Sequence, residues 1–229
     1  MTSRYLTDDM ISDARAMIHA AEHIHGGAIV QSTSFGIQSA VTLHLVASTT
    51  PRMPVVFVDT GYLPPETLAF AEALRARLDL DLHIARARMS PEEMEARHGR
   101  LWETGRADDL ATYHRIRKVE PMKEALAALG ADAWIVGLRA GQTAHRGSLA
   151  PVTQQWGRKK YLPILGWDDR AMMSYINRFD LPVHPLFYEG YRTVGDWHSS
   201  RPMGEGETDA RATRFGGVAQ ECGLHIAAE

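Results

Sequence analysis

Two glycines, Gly26 and Gly27, open onto Ile29-Val30-Gln31-Ser32-Thr33-Ser34-Phe35-Gly36-Ile37-Gln38-Ser39, and this stretch constrains the chain more than any other. A short apolar run behind two glycines has the form of a buried strand. Three hydroxyls and Phe35-Gly36 follow. From Ile37 the apolar residues fall at Ile37, Val41, Leu45 and at Ala40, Leu43, the spacing of a helix. Strand, tight loop and helix in that order bring hydroxyls, backbone N–H groups and a helix N-terminus to one point, which suits an anion such as phosphate. An ordinary serine-rich strand–helix turn accounts for the same residues, and local pattern does not separate the two.

The rest of the chain repeats the theme. Thr7-Asp8-Asp9 predicts the N-cap of a helix running to His25, with Met10, Ala14, Met17, Ile18 and Ala21 as its inner stripe. Pro54-Val55-Val56-Phe57-Val58-Asp59 is a continuous apolar run, as a strand covered on both faces requires. It ends at a polar edge, Asp59-Thr60-Gly61-Tyr62, where doubly wound sheets bind ligands. Pro64-Pro65-Glu66-Thr67 opens a helix, and Leu80 to Ala85 predicts a third strand. A charge-rich helical region runs from Ser90-Pro91 to Gly130, and Ala133 to Leu138 predicts a fourth strand. Tyr161-Leu162-Pro163-Ile164 reads as a short edge strand because of its proline, and Asp168 caps a helix to Phe179. Strands alternating with helices predict an α/β fold, a doubly wound and mostly parallel sheet with right-handed crossovers. After Gly190 glycines accumulate and aliphatics thin out. The expected division is a nucleotide-binding α/β domain over 1–190 and a mobile C-terminal arm over 191–229 with little core of its own.

Charge and cysteine content narrow the chemistry. The chain has 229 residues and a net charge of −3, so it carries no global basic field for nucleic acid or a membrane. A polyanionic ligand must then be held by a local basic cluster. No run has the length of a membrane span and the N-terminus has no signal-type apolar region, so the expected location is cytoplasmic. The single cysteine, Cys222, excludes an internal disulfide and a four-cysteine iron–sulfur cluster within one chain. Among the histidines, His19, His23 and His25 read as solvated surface, because no carboxylate or cysteine is spaced to complete a metal site.

Cys222 lies in a glycine-flanked polar tail, with Arg211 and Arg214 upstream and His225 three residues on. Lone cysteines are most often buried small hydrophobes, but neighbouring cations favour the reactive thiolate, with Glu221 acting against it. Arg139 and Arg146 follow the fourth strand, where guanidinium groups can clamp sulfate or phosphate, or serve only as surface ion pairs. Lys118 closes the basic run His114-Arg115-Ile116-Arg117-Lys118, in itself the pattern of a solvated helix face, and Arg158-Lys159-Lys160 reads as surface too. Asp196 and His198 either serve the site or tie down the arm.

Glu221-Cys222-Gly223-Leu224-His225 resembles the signature that ends the phosphoadenylyl-sulfate (PAPS) reductases of the thioredoxin-dependent, cluster-free type. Ser32-Thr33-Ser34-Phe35-Gly36 is similar to that family's modified PP-loop, which lacks the double glycine and acid of the ATP-cleaving version. Val58-Asp59-Thr60-Gly61-Tyr62, Lys118-Val119-Glu120-Pro121-Met122, Gly137-Leu138-Arg139 and Tyr191-Arg192-Thr193-Val194-Gly195-Asp196-Trp197-His198 complete six blocks in the family's order. The resemblance implies a sheet of the adenine-nucleotide alpha-hydrolase type and the reduction of 3'-phosphoadenylyl sulfate to sulfite and adenosine 3',5'-bisphosphate. It implies Cys222 as nucleophile through an S-sulfocysteine, with His225 beside it. It implies substrate binding by Ser32, Thr33, Ser34, Phe35, Gly36, Asp59, Thr60, Gly61, Lys118, Arg139, Arg146, His198, Arg211 and Arg214. No cofactor or metal is expected to be bound. With no second cysteine, an external dithiol, reduced thioredoxin or glutaredoxin, must resolve the adduct. A homodimer is the expected assembly.

Leu63-Pro64-Pro65, Ser39 and Ile226 depart from the family pattern, leaving room for a cluster-free adenylyl-sulfate reductase or a specialised sulfite-supplying paralogue. Two other readings stay open. A PP-loop enzyme that adenylates its substrate would release pyrophosphate from ATP. A non-catalytic nucleotide-binding protein would not need Cys222.

Overall fold

Thr7 starts the first helix, α1 (Asp8–His25), by accepting the Met10 N–H, and Gly26 ends it in the left-handed conformation. The computed structural model describes residues 5–215 and Leu224. Six strands follow in one sheet: β1 (Ile29–Thr33), β2 (Val55–Asp59), β3 (Leu82–Arg86), β4 (Ala133–Val136), β5 (Val152–Gln155) and β6 (Arg158–Tyr161). Their order is β3-β2-β1-β4-β6-β5, and every pairing is parallel except β5 with β6. The helices are α2 (Ser39–Thr49), α3 (Pro65–Leu78), α4 (Pro91–His98), α5 (Ala107–His114), α6 (Glu120–Ala128), α7 (Ala144–Gly147) and α8 (Asp169–Arg178).

The strands alternate between two cores. Ile29, Val55, Phe57, Ala133 and Ile135 point to one face, under apolar residues of α1, α2, α3 and α8. Val30, Val56, Val58, Trp134 and Val136 point to the other, against Met122 and Leu126 of α6. The sheet is thus covered on both sides, as the unbroken apolar run of β2 requires. This is the doubly wound α/β architecture that the sequence predicts. Among the described residues no helix is long and apolar enough to cross a membrane.

Three local expectations are corrected. The strand placed at Tyr161–Ile164 instead ends at Tyr161, and Pro163 falls outside the ladder. It is not the edge: β6 lies between β4 and β5. The cause is a two-residue hairpin turn, in which Trp156 and Gly157 both take positive φ (53° and 72°) and fold β5 back on β6. Arg158-Lys159-Lys160 is therefore strand, with Lys159 exposed as expected and Lys160 turned inward. Lys160 is buried, donates to Gln155 Oε1 at 2.8 Å and lies 4.9 Å from the Trp134 ring.

The charge-rich region from Ser90 is helical, as expected, but divided into several pieces. Gly99 and Gly105, both at positive φ, separate α4 from α5. A π-turn (Arg115–Val119) then joins α5 to α6. Pro121 supplies the reason, since it has no N–H and its ring would collide with the carbonyl four residues back. Widening the helix by one residue relieves that collision. It also turns Arg117 and Lys118 inward, so the basic run is not a solvated face: both side chains are buried.

Residues 191–215 pack more closely than their composition predicts. Val194 meets Ile37 and Leu186, while Asp196, Ser199, Thr213 and Arg214 are buried. Polar contacts replace aliphatic ones here. Arg214 donates to the Ser199 carbonyl at 3.1 Å and to its hydroxyl at 3.2 Å.

Candidate active site

β1 has β2 on one side and β4 on the other, so the chain order reverses at β1 and a crevice opens beyond the strand ends. A cavity of about 230 Å³ occupies it. At roughly 10–15 Å³ for each water-sized position, it has room for a molecule rather than a lone ion.

Phe35 explains the shape of the loop after β1. Its φ is 45°, its side chain is buried, and its ring packs edge-on against Phe57 with centroids 4.9 Å apart. Its N–H donates to Thr33 Oγ1 at 3.1 Å. With Phe35 anchored in the core, Ser32, Thr33, Ser34 and Gly36 line the cavity below the N-terminus of α2. Hydroxyls and a helix N-terminus share one wall, the arrangement that favours an oxyanion.

Charge in the lining is lopsided. Lys118, Arg139, Arg146, Arg192, Arg211 and Arg214 face the cavity, against one carboxylate among its described lining residues, Asp196. Arg139 follows β4 and is fixed by Gln38 Oε1 at 2.7 Å and by exposed Asp169 at 3.0 Å. Arg146, in the short helix α7 capped by Thr143, pairs with Gln142. Arg211 donates to Thr193 Oγ1 at 3.2 Å. The Arg214 guanidinium lies directly on Gly195, where any Cβ would collide with it. A protein of net charge −3 thus concentrates positive charge in one enclosed place.

Of the residues singled out in the sequence, Ser32, Thr33, Ser34, Gly36, Thr60, Lys118, Arg139, Arg146, Arg211 and Arg214 meet at this cavity. Phe35 supports the loop from within the core. Asp59 turns away, pairing with Arg86 at 2.9 Å and accepting the Gly61 N–H at 3.0 Å. Gly61 is held by packing, since a Cβ there would lie 2.7 Å from Pro91 Cγ and 2.9 Å from Arg117 Nη2. His198 sits behind the cavity wall, stacked on Trp102 at 4.1 Å and 3.0 Å from Tyr113 Oη. Cys222 and His225 lie outside the described residues. Leu224, between them in sequence, lines the cavity. Among the described residues no group of three or more His, Cys, Asp or Glu is placed to hold a metal ion.

Gln38, Thr42, Gln142, Arg192 and Thr193 also line the cavity and Arg117 supports it, though no sequence pattern singles them out for those places. Arg117 donates to the Thr60 carbonyl and, at 2.6 Å, to the Met89 carbonyl, tying the β2 end to the π-turn. Pro121, inside a helical pattern, was the available signal for that inward turn. Thr42 is visible only through Gly137: a Cβ on Gly137 would lie 2.6 Å from Thr42 Oγ1. Gly137→Val is expected to lower the affinity of the cavity for a phosphate-bearing ligand at least tenfold and cost about 1–3 kcal/mol of stability through overpacking. Calorimetric titration and urea unfolding check this; unchanged affinity would show that the α2–β4 contact does not shape the cavity.

Two buried histidines, His114 and His184, and the half-buried His198 make the fold acid-sensitive. Burial, then the Lys118 charge, holds His114 down at about 3. Burial holds His198 and His184 at about 4. Each binds a proton near pH 6.5 when unfolded. Stability from these groups is therefore full above about pH 6.5 and is lost as pH falls toward 4 and below. The urea midpoint should be level from pH 8 to 7 and then drop steadily to pH 4. A midpoint that stays level through pH 4.5 would contradict this.

Comparison with known proteins agrees with the geometry. The family described as "Phosphoadenosine phosphosulfate reductase domain" matches residues 28–202. The chain is 51% identical over 213 residues to a protein of Synechococcus sp. named phosphoadenosine 5'-phosphosulfate reductase, covering 93% of this chain and 92% of that one. A Synechocystis sp. protein of the same name is 50% identical, with 93% and 86% covered. The crystal structure of phosphoadenylyl-sulfate reductase from Candida auris, a phosphate complex, superposes with a TM-score of 0.70 at 28% identity, covering 87% of this chain and all of that one. Candida glabrata FMN adenylyltransferase shares the fold alone, with a TM-score of 0.65 at 17% identity over 88% of this chain and 67% of that one.

Proposed function

The chain belongs to the phosphoadenosine phosphosulfate reductase family, and on that premise we propose that it reduces 3'-phosphoadenylyl sulfate to sulfite, with Cys222 as nucleophile and a dithiol protein as electron donor. One observation carries the reading: six cationic side chains and a hydroxyl-rich loop converge on a molecule-sized cavity beyond the strand ends. A nucleotide bearing a 5'-phosphosulfate and a 3'-phosphate is the kind of ligand such a cavity suits.

The chemistry follows from one sulfur atom. The Cys222 thiolate attacks the sulfonate sulfur; the bond from that sulfur to the bridging oxygen breaks, and adenosine 3',5'-bisphosphate leaves with the electron pair. Guanidinium groups stabilise the charge that builds on the departing phosphate. A thiolate of thioredoxin or glutaredoxin then attacks the Cys222 sulfur and expels sulfite. The donor's second thiol closes its disulfide and returns Cys222 as a thiol, so two electrons pass from dithiol to sulfur. Leu224 on the cavity wall supports the assignment, since it is two positions along the chain from Cys222 and two extended steps span about 7 Å at most.

The test is sulfite release with reduced thioredoxin, run in parallel on 3'-phosphoadenylyl sulfate and adenylyl sulfate. Release from the first at least tenfold more efficient than from the second is expected. Preference for adenylyl sulfate would reassign the substrate. Pyrophosphate release from ATP, with no sulfite from either substrate, would favour the adenylating alternative.

A further inference from the structure

Asp196 is completely buried, and each of its carboxylate oxygens has a different task. Oδ1 accepts from Thr60 Oγ1 at 2.5 Å, and Oδ2 meets Lys118 Nζ at 2.5 Å. Thr60 directly follows β2, Lys118 belongs to the π-turn, and Asp196 comes from the well-packed segment 191–215. All three line the cavity.

Asp196 is itself fixed by the backbone around it. Its carbonyl accepts from the Ser199 hydroxyl at 3.1 Å and the Ser200 hydroxyl at 3.0 Å. The next residue, Trp197, donates its N–H to the Tyr62 carbonyl at 2.8 Å. Thr60 is fixed too, its carbonyl taken by Arg117 and its hydroxyl accepting the Tyr62 N–H at 3.2 Å.

Lys118 is different. Its ammonium ends a flexible four-carbon stem that ordinarily reaches for water. Here its side chain is 8% exposed and lies 5.7 Å from the Tyr113 ring and 5.6 Å from the Phe215 ring. Those rings can favour a cation, but they do not aim it. Asp196 does. Burial would raise the carboxyl's pKa, but Lys118, then Thr60 and Arg214, hold it well below the usual carboxylate range, so it stays ionised.

We infer that Asp196 is a positioning residue: by gripping Lys118 and Thr60 together, it makes the presentation of the Lys118 ammonium in the cavity depend on the seating of residues 191–215. The inference rests on the cavity being the substrate site of the proposed reductase. It makes Asp196 more than an anchor, because an anchor alone would affect stability and binding but not the rate once substrate is bound.

The experiment is steady-state sulfite formation from 3'-phosphoadenylyl sulfate with reduced thioredoxin, for the wild type, Asp196→Asn, Lys118→Met and the double variant. Asp196→Asn is expected to lower kcat at least tenfold with KM within threefold of wild type. The double variant should be no slower than the slower single, because one residue acts through the other. Thr60→Val, which keeps the ion pair and loses one grip, should lower kcat about threefold and serves as the test if Asp196→Asn does not fold. Unchanged kcat in a folded variant, with only a lower melting temperature, would overturn the inference; so would losses that multiply in the double variant. A wild type that forms no sulfite would instead sink the assignment of the cavity.

Discussion

Cys222→Ser should bind nucleotide as the wild type does and form essentially no sulfite, a loss of at least about a thousandfold in turnover. A serine hydroxyl stays protonated near neutral pH, is a far poorer nucleophile toward sulfur, and could not release sulfite by thiol–disulfide exchange. No second cysteine exists in the chain to take its place. Two measurements make the outcome decisive: sulfite release with reduced thioredoxin, and calorimetric affinity for adenosine 3',5'-bisphosphate. Near-normal affinity with no sulfite is the expected pair. Sulfite formation within tenfold of wild type would return the protein to the non-catalytic or adenylating readings.

Arg139→Ala carries the second-largest expected effect, a fall of about a hundredfold to a thousandfold in kcat/KM, the scale of removing one preorganised donor from a site of developing negative charge. Arg139 is held on both sides, by Gln38 and Asp169, so its guanidinium is aimed before substrate arrives. The alternative is a plain surface ion pair with Asp169. Arg139 is itself buried and keeps Gln38 when Asp169 is lost, so removing that exposed partner changes little. We expect Asp169→Asn to keep kcat/KM within about threefold of wild type while Arg139→Ala loses it. If Arg139→Ala kept near-normal kcat/KM and lost only stability, the ion-pair reading would stand.

The sequence made local features legible wherever the cause is local. Thr7 and Asp168 cap their helices with their own side-chain oxygens, and both were readable from the residues that follow them. The apolar run of β2 announced a strand buried on both faces. The loop from Ser32 to Gly36 was found as a unit, but not the division of labour within it. That Phe35 anchors while its neighbours line the cavity depends on Phe57, a residue of the next strand. The β5–β6 hairpin was missed because its turn, Trp156-Gly157, puts a bulky residue at positive φ, where asparagine or aspartate is the usual sign.

The largest misreadings concern buried charge. Both basic runs carry the pattern of a solvated surface, and for Lys118 only the family resemblance points inward; Asp196 buries Lys118, and Gln155 and Trp134 bury Lys160. Each burial is decided by a partner supplied by another element, which a one-dimensional pattern cannot show. The same holds for residues 191–215, which fill space with Asp196, Ser199 and Arg214 rather than with aliphatic side chains.

Intact-mass analysis of the wild type mixed with 3'-phosphoadenylyl sulfate and no reductant tests the central claim most directly. The account predicts a gain of one sulfonate per chain, confined to the peptide that contains Cys222 and lost with release of sulfite when reduced thioredoxin is added. An unmodified mass, or a sulfonate carried on any other peptide, would contradict it.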